Sequence, residues 1–278
     1  MSLNIKIYQL YFKNEQRNYI DFEYFTPYDN TKNPRPELRE WYIWDKEHDK
    51  RVSEGLDYWG YVSWKFGEKT SLMAKQFTDF IAANPGYDVY FVNPALINEA
   101  CFVNSWEQGD LHHPNISEIA NTFLKKIGYE DVGVKEMVLD RNVTMYANYV
   151  VGSRAFWDKF MEFSRKLFTE AEKDPEFKQL VFGEGLSNYA HDKSLPNFIF
   201  LIERLIPTFI DLEGFKSLPY QYTAETLPQK YHKYAGDLSA LSNLKVLINQ
   251  YESDEIYSIW NYYRHKFLQD NPGILGLE

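Results

Sequence analysis

The stretch that most constrains this chain lies between residues 58 and 94, where the hydrophobic period changes twice. Tyr58-Trp59-Gly60-Tyr61-Val62-Ser63-Trp64 is rich in aromatic and β-branched residues and reads as a strand. Met73, Phe77, Phe80 and Ile81 then fall on one face of a helix that stops at Asn84-Pro85-Gly86. Directly afterwards, Tyr87-Asp88-Val89-Tyr90-Phe91-Val92 is a short strand of the buried type, closed by Asn93-Pro94. Strand, helix and strand at this spacing form a βαβ unit. Such a unit implies an α/β protein with a parallel sheet, since a crossover of this length joins strands that run the same way.

The flanking sequence supplies further elements of the same kind. Ile5 to Phe12 reads as a strand, and the proline-bearing Thr31 to Pro36 as a loop. A helix is expected from about Ser117 to Ile127, ended by Gly128, and a strand from Thr144 to Val151. Ser153 is a natural N-cap for a helix whose stripe is Phe156, Phe160, Phe163 and Leu167. Pro196 to Ile210 is apolar on nearly every side and reads as a buried helix, and two amphipathic helices close the chain near 238–250 and 254–269. This suggests an α/β core over residues 1–215, with a helical C-terminal appendage over 216–278 packed on it as one unit.

Charge and composition narrow the partners. The net charge is −10 and the basic residues are scattered, which argues against a nucleic-acid partner needing a concentrated basic patch. Nothing in the sequence is apolar for long enough to span a bilayer, and the N-terminus lacks the pattern of a signal peptide. With Cys101 the single cysteine, an intramolecular disulfide is impossible. A cytoplasmic protein with at most peripheral membrane contact is expected. Aromatic residues reach 18%, with 22 Tyr and 7 Trp, and such rings offer sugars and nucleobases a flat face with a polar edge as readily as they fill a core.

No glycine-rich phosphate loop, His-Glu-x-x-His or Gly-x-Ser-x-Gly motif is present, so candidate chemistry rests on four segments. Lys65 and Lys69 sit where the strand at 58–64 meets a helix. Positive charge and free backbone N–H groups there suit a donor diphosphate, although a solvated turn would look the same. Asn93 ends the next strand on the ligand-binding side, whereas Asp88, at its other end, reads as a turn or strand-edge residue. The run from Trp106 to Pro114 reads as a loop and gathers Glu107, Asp110, His112 and His113. These are candidates for acid/base or metal-binding work, or parts of a polar helix entry. Glu203 and Arg204 interrupt the buried helix, with Pro207 removing the N–H that would bond the carbonyl of Glu203. The pair reads either as a cavity wall or as a structural ion pair.

The order of several segments is similar to that in bacterial glycosyltransferases of lipopolysaccharide and capsule assembly. They are Tyr58 to Phe66, Asn93-Pro94, Asn148-Tyr149-Val150-Val151-Gly152-Ser153-Arg154-Ala155-Phe156-Trp157, and Phe200-Leu201-Ile202-Glu203-Arg204-Leu205. The resemblance covers roughly residues 5 to 210. It implies a GT-A-like, Rossmann-like fold with a mixed sheet flanked by helices. It also implies a nucleotide-sugar donor and a cell-surface glycan or lipid-linked acceptor, placing the protein at the inner face of the cytoplasmic membrane. Lys65, Lys69 and Asn93 would then bind the donor, Trp106, Asn148 and Arg204 would face the acceptor, and Asp110, His112, His113 and Glu203 would be the catalytic candidates. Such enzymes usually hold Mg or Mn with an Asp-x-Asp, and this chain has none. Asp211-Leu212-Glu213 and Glu252-Ser253-Asp254 have similar spacing, but neither follows a core strand, so the metal ligands stay unassigned. Two other functions fit the same residues. One is a non-catalytic carbohydrate-binding protein. The other is a glycoside hydrolase that sets Glu107 or Asp110 ~5–9.5 Å from Glu203.

Overall fold

A computed structural model describes residues 3–183 and 195–277. The chain opens with strands β1 (Ile5–Tyr11) and β2 (Thr26–Asp29), helix α1 (Arg39–Ser53), strand β3 (Tyr58–Ser63), helices α2 (Phe66–Thr70) and α3 (Ala74–Ala83), and strand β4 (Val89–Phe91). Helices α4 (Leu96–Cys101), α5 (Ser105–His112) and α6 (Ile116–Lys126) follow, then strand β5 (Val150–Ser153) and helix α7 (Arg154–Lys173). Helices α8 (Pro175–Phe182) and α9 (Asn197–Leu212), strand β6 (Ser217–Pro219), and helices α10 (Ala235–Tyr251) and α11 (Asp254–Asp270) complete it.

Contacts group these elements into two units. The first, Met1–Asn93, Ala147–Ser164 and Glu213–Pro228, holds all six strands; the second, Pro94–Tyr146, Arg165–Leu212 and Gln229–Glu278, is helical throughout its described elements. The grouping departs from a single boundary at residue 215. Residues 94–146 and 165–212, expected in the α/β core, belong with the helical unit, while 216–228, expected in the appendage, belong with the sheet.

The sheet of the first unit has the order β2-β1-β3-β5-β4-β6. β1 runs parallel to β2 and β3, β5 is antiparallel to both β3 and β4, and β4 is parallel to β6. The fold is therefore α/β with a mixed six-stranded sheet flanked by helices. The strands of the expected βαβ unit do run the same way, but they are not neighbours. Strand β5 lies between them, because a crossover fixes direction and leaves adjacency to whichever strand can pair both open edges. Gly60 makes the pairing of β3 with β5 possible: a Cβ there would collide with the backbone of Val150 and Val151.

Alternation along β1 and β3 sends side chains to two covered faces. Ile7 and Val62 join Phe66, Phe77, Ile81, Tyr90 and Val151 in a core beneath α3. Tyr8 and Tyr61 stack on the opposite face at 5.5 Å between ring centres, and Trp59 stacks on Trp157 of α7 at 6.3 Å. Helix α1 covers that second face with Trp41, Ile43 and Trp44 in its first turns and with buried charge further along. Arg51, almost wholly buried, donates to Glu47 at 2.6 Å and Glu54 at 2.7 Å, and lies 3.9 Å from the Tyr8 ring centre. The connection from β2 to β3 thus uses one face and that from β3 to β4 the other, while the β1–β2 connection sends Phe25 into the α3-side core. Connections therefore cover both faces of the sheet, and the order of strands reverses between β1 and β3.

In the second unit α9 is buried along most of its length and runs on past Pro207 to Leu212. Helix α4 is tied to its neighbours through its carbonyls. Lys245 of α10 donates to Glu99 O at 2.7 Å and Phe102 O at 2.9 Å, and Trp260 of α11 donates to Ala100 O at 3.0 Å. Among the described residues, no helix is long and apolar enough to cross a membrane.

Candidate functional site

Strands β1, β3, β4 and β6 run in one direction, so their carboxyl ends share one edge of the sheet, and β5, running oppositely, begins there. Lys65 follows β3, Asn93 follows β4 and Asn148 precedes β5. Three residues chosen from sequence therefore come to a single edge, the one on which open α/β sheets bind ligands. Asp88 lies at the opposite end of β4, where its carboxylate accepts from Lys216 N at 3.0 Å and so ties β6 in place.

The reversal between β1 and β3 is marked by aromatic and basic groups. Trp64 N donates to Leu10 O at 2.8 Å, closing the two strands. The Tyr19 ring, 65% exposed, lies 5.4 Å from the Trp64 ring centre. Lys65 Nζ sits 5.1 Å from the Trp64 ring centre and 3.6 Å from Glu68, and the Lys65 N–H donates to Ser63 Oγ at 3.2 Å. Nearby in sequence, the Arg17 guanidinium lies 5.7 Å from the ring of Phe22, which is also exposed. Lys69 is exposed on α2, a helix of only five residues, too short for its own dipole to hold an anion strongly. Glu40, in the first turn of α1, is half-buried, and its carboxyl is pushed up by that burial against the pull of Arg39 and Lys69.

Beside the lysine stands a cluster of neutral hydroxyls. Ser63 Oγ and Tyr149 OH are 2.8 Å apart. The Tyr222 OH is buried and has no hydrogen-bond partner among the described residues. Burial first, then the phenols of Tyr220 and Tyr149, raise the pKa of Tyr222. The Tyr220 ring lies 5.5 Å from that of Tyr222 and 5.2 Å from that of Phe80. Asn148 Oδ1 is likewise buried without a partner. Tyr19, Glu40, Tyr220 and Tyr222 were not singled out from sequence. The available signal was the excess of tyrosine, which does not say which rings reach an edge.

The candidates of the second unit take a different form. The expected loop from Trp106 to Pro114 is mostly helix α5, because Asn104 caps it by accepting from Trp106 N and Glu107 N, each at 2.9 Å. The helix spreads its polar groups over several directions. Trp106 is fully buried and donates to Thr208 Oγ1 at 2.8 Å. Glu107 accepts from Arg264 at 2.9 Å, and Asp110 accepts from Ser117 Oγ at 2.6 Å and lies 3.2 Å from Lys135. Both carboxylates are thereby paired within the second unit. His112 is exposed, whereas His113 is 2% exposed and stacked 3.5 Å from the Phe200 ring centre. Burial, then the charge of Arg204, then His112 push His113 down to about 3, so it is a neutral core ring at physiological pH.

Arg204 is a bracket between α5 and α9. Its guanidinium donates to Ser105 O at 2.8 Å, Phe200 O at 3.1 Å and Gln108 Oε1 at 2.7 Å. Gly109 leaves room for it, since a Cβ there would strike Arg204 Nε. Glu203 is half-buried on the same helix. Trp106, His113 and Arg204 are thus all buried within their unit, bonded or stacked to its own helices. Among the described residues no three His, Cys, Asp or Glu side chains gather closely enough to hold a metal ion. Comparison with protein-family models, curated proteins and solved structures gives no match.

Proposed function

We propose that the first unit binds a nucleotide-sugar at the carboxyl edge of its sheet and transfers the sugar to a hydroxyl of a glycan or lipid-linked acceptor, as a GT-A-like glycosyltransferase. The observation that carries this reading is the meeting of Tyr19, Trp64 and Lys65 at the β1/β3 reversal. Two partly open rings suit a nucleobase, and an ammonium beside them suits the diphosphate that must leave. Glu40, at the start of α1 with its carboxyl raised by burial, is the group suited to take a proton from an acceptor hydroxyl. Mg or Mn would be the customary partner of a leaving diphosphate. The described carboxylates and histidines do not gather into a cage for either, so no step is assigned to a metal. Such a donor is met in the cytoplasm, and a lipid-linked acceptor would bring the protein to the inner membrane face.

Calorimetric titration with UDP, GDP and CMP, with and without manganese, tests the reading. At least one nucleotide should bind, and Lys65→Ala should weaken it about tenfold, the worth of one charge-assisted hydrogen bond. Silence from all three nucleotides up to millimolar concentration would remove the donor site. A second reading, binding without transfer, is favoured by the structural commitment of Asp110 and His113. Nucleotide binding with neither donor hydrolysis nor transfer would select it.

A further inference from the structure

The hydroxyl cluster beside Lys65 says which kind of sugar this edge can take. Resting on the nucleotide-sugar reading, we propose that Ser63, Tyr149 and Tyr222 form the subsite for the donor's sugar and that it accepts a neutral hexose while excluding anionic sugars such as uronic or sialic acids. Ser63 Oγ stands two residues before Lys65 and accepts that residue's N–H, so the cluster begins where the phosphate contact ends. From there it runs to the Tyr149 OH at 2.8 Å and on to Tyr222, which packs against the core cluster that contains Tyr149.

Each of these groups is a hydroxyl, able to donate and to accept, and a sugar hydroxyl offers the same pair of functions in return. The Tyr222 OH is the telling member. A phenol buried without a partner is costly, and it is retained at an edge where a ligand hydroxyl can complete it. The rings of Tyr220 and Tyr222, 5.5 Å apart, add apolar faces suited to the C–H side of a pyranose.

The exclusion of anions follows from what acts on the Tyr222 phenol. The groups around it are neutral: the Tyr220 ring at 5.5 Å between centres, and the hydroxyl pair of Ser63 and Tyr149 in the adjoining core. In this reading Lys65 is taken up by the diphosphate, and Lys75 is bonded to Asp79 at 2.5 Å. A sugar carboxylate would lose its water here and meet no compensating charge.

The test titrates the full chain with UDP, UDP-glucose and UDP-glucuronate, or with GDP, GDP-mannose and GDP-mannuronate where GDP is the nucleotide bound. The neutral sugar nucleotide should bind at least about tenfold tighter than its uronate. Tyr222→Phe should weaken the neutral sugar nucleotide about fivefold, one hydrogen bond's worth, and leave the bare nucleotide unchanged. Ser63→Ala, read in the same way, guards against a fold defect peculiar to the tyrosine. Equal binding of neutral and uronate forms, no effect of either substitution, or preference for a CMP-linked sialic acid would overturn the proposal while leaving nucleotide binding intact. Failure of the bare nucleotides to bind would instead refute the nucleotide reading on which it rests.

Discussion

His113 shows how far a single residue can depart from its appearance in sequence. Beside His112 and close to Asp110 it looks like catalytic equipment, yet its ring is stacked on Phe200 and held neutral, with its pKa near about 3. In the unfolded chain the same ring takes up a proton near pH 6.5. Between those values the unfolded state binds more protons, so stability falls as pH drops from about 6.5 toward about 3. Each unit of difference is worth about 1.4 kcal/mol when fully expressed. Chemical denaturation from pH 7 to 4 should show this slope, and His113→Phe should flatten it while leaving the midpoint at pH 7 less affected. An identical slope in the variant would mean that other groups carry the acid sensitivity. The sequence did reveal that the segment is dense in polar groups. It did not reveal their directions, because those depend on a helix whose signal is one buried asparagine.

That asparagine belongs to the scale of elements. Asn104 is completely buried, accepts two N–H groups at the start of α5, and donates to the carbonyls of Val134 at 2.8 Å and Met137 at 2.6 Å. It caps one helix and anchors the segment after another. Loss of a cap costs about 1 kcal/mol, and buried carbonyls left unsatisfied add about 1–3 kcal/mol. Asn104→Ala should therefore lower the unfolding free energy by about 2–4 kcal/mol in a urea titration, and Asn104→Asp, which keeps the acceptor and loses the donors, by less. A change under about 0.5 kcal/mol would show the cap to be dispensable. Other elements were legible to different degrees for equally physical reasons. β1, β3, α3, α9, α10 and α11 carry clean apolar periods, and the structure places them where those periods do. Helix α1 is hard to read because its inward face begins with Trp41, Ile43 and Trp44 but continues with Glu47, His48 and Arg51, so the apolar period stops partway along the helix. β2 and β6, of four and three residues, are too short to show a period at all.

At the scale of the whole molecule the governing feature is interleaving. The chain leaves the sheet unit after Asn93, returns at Ala147, leaves after Ser164, returns at Glu213 and leaves finally after Pro228. No truncation at one point can isolate either unit. A chain ending at residue 212 lacks β6, Tyr220 and Tyr222, and should show weakened hydrogen-exchange protection of β4 as well as lost sugar discrimination. Full protection of β4 in that fragment would show that β6 is an ornament of the sheet. The same feature bears on how the protein is made. A ribosome that has delivered the first two hundred residues has produced five strands of the sheet, and Val89-Tyr90-Phe91 still faces outward with its row of backbone groups unpaired. Such an edge invites pairing with another chain until its own last strand is delivered. Synthesis rate over the helical segment before residue 217 thus sets how long each nascent molecule remains open to its neighbours.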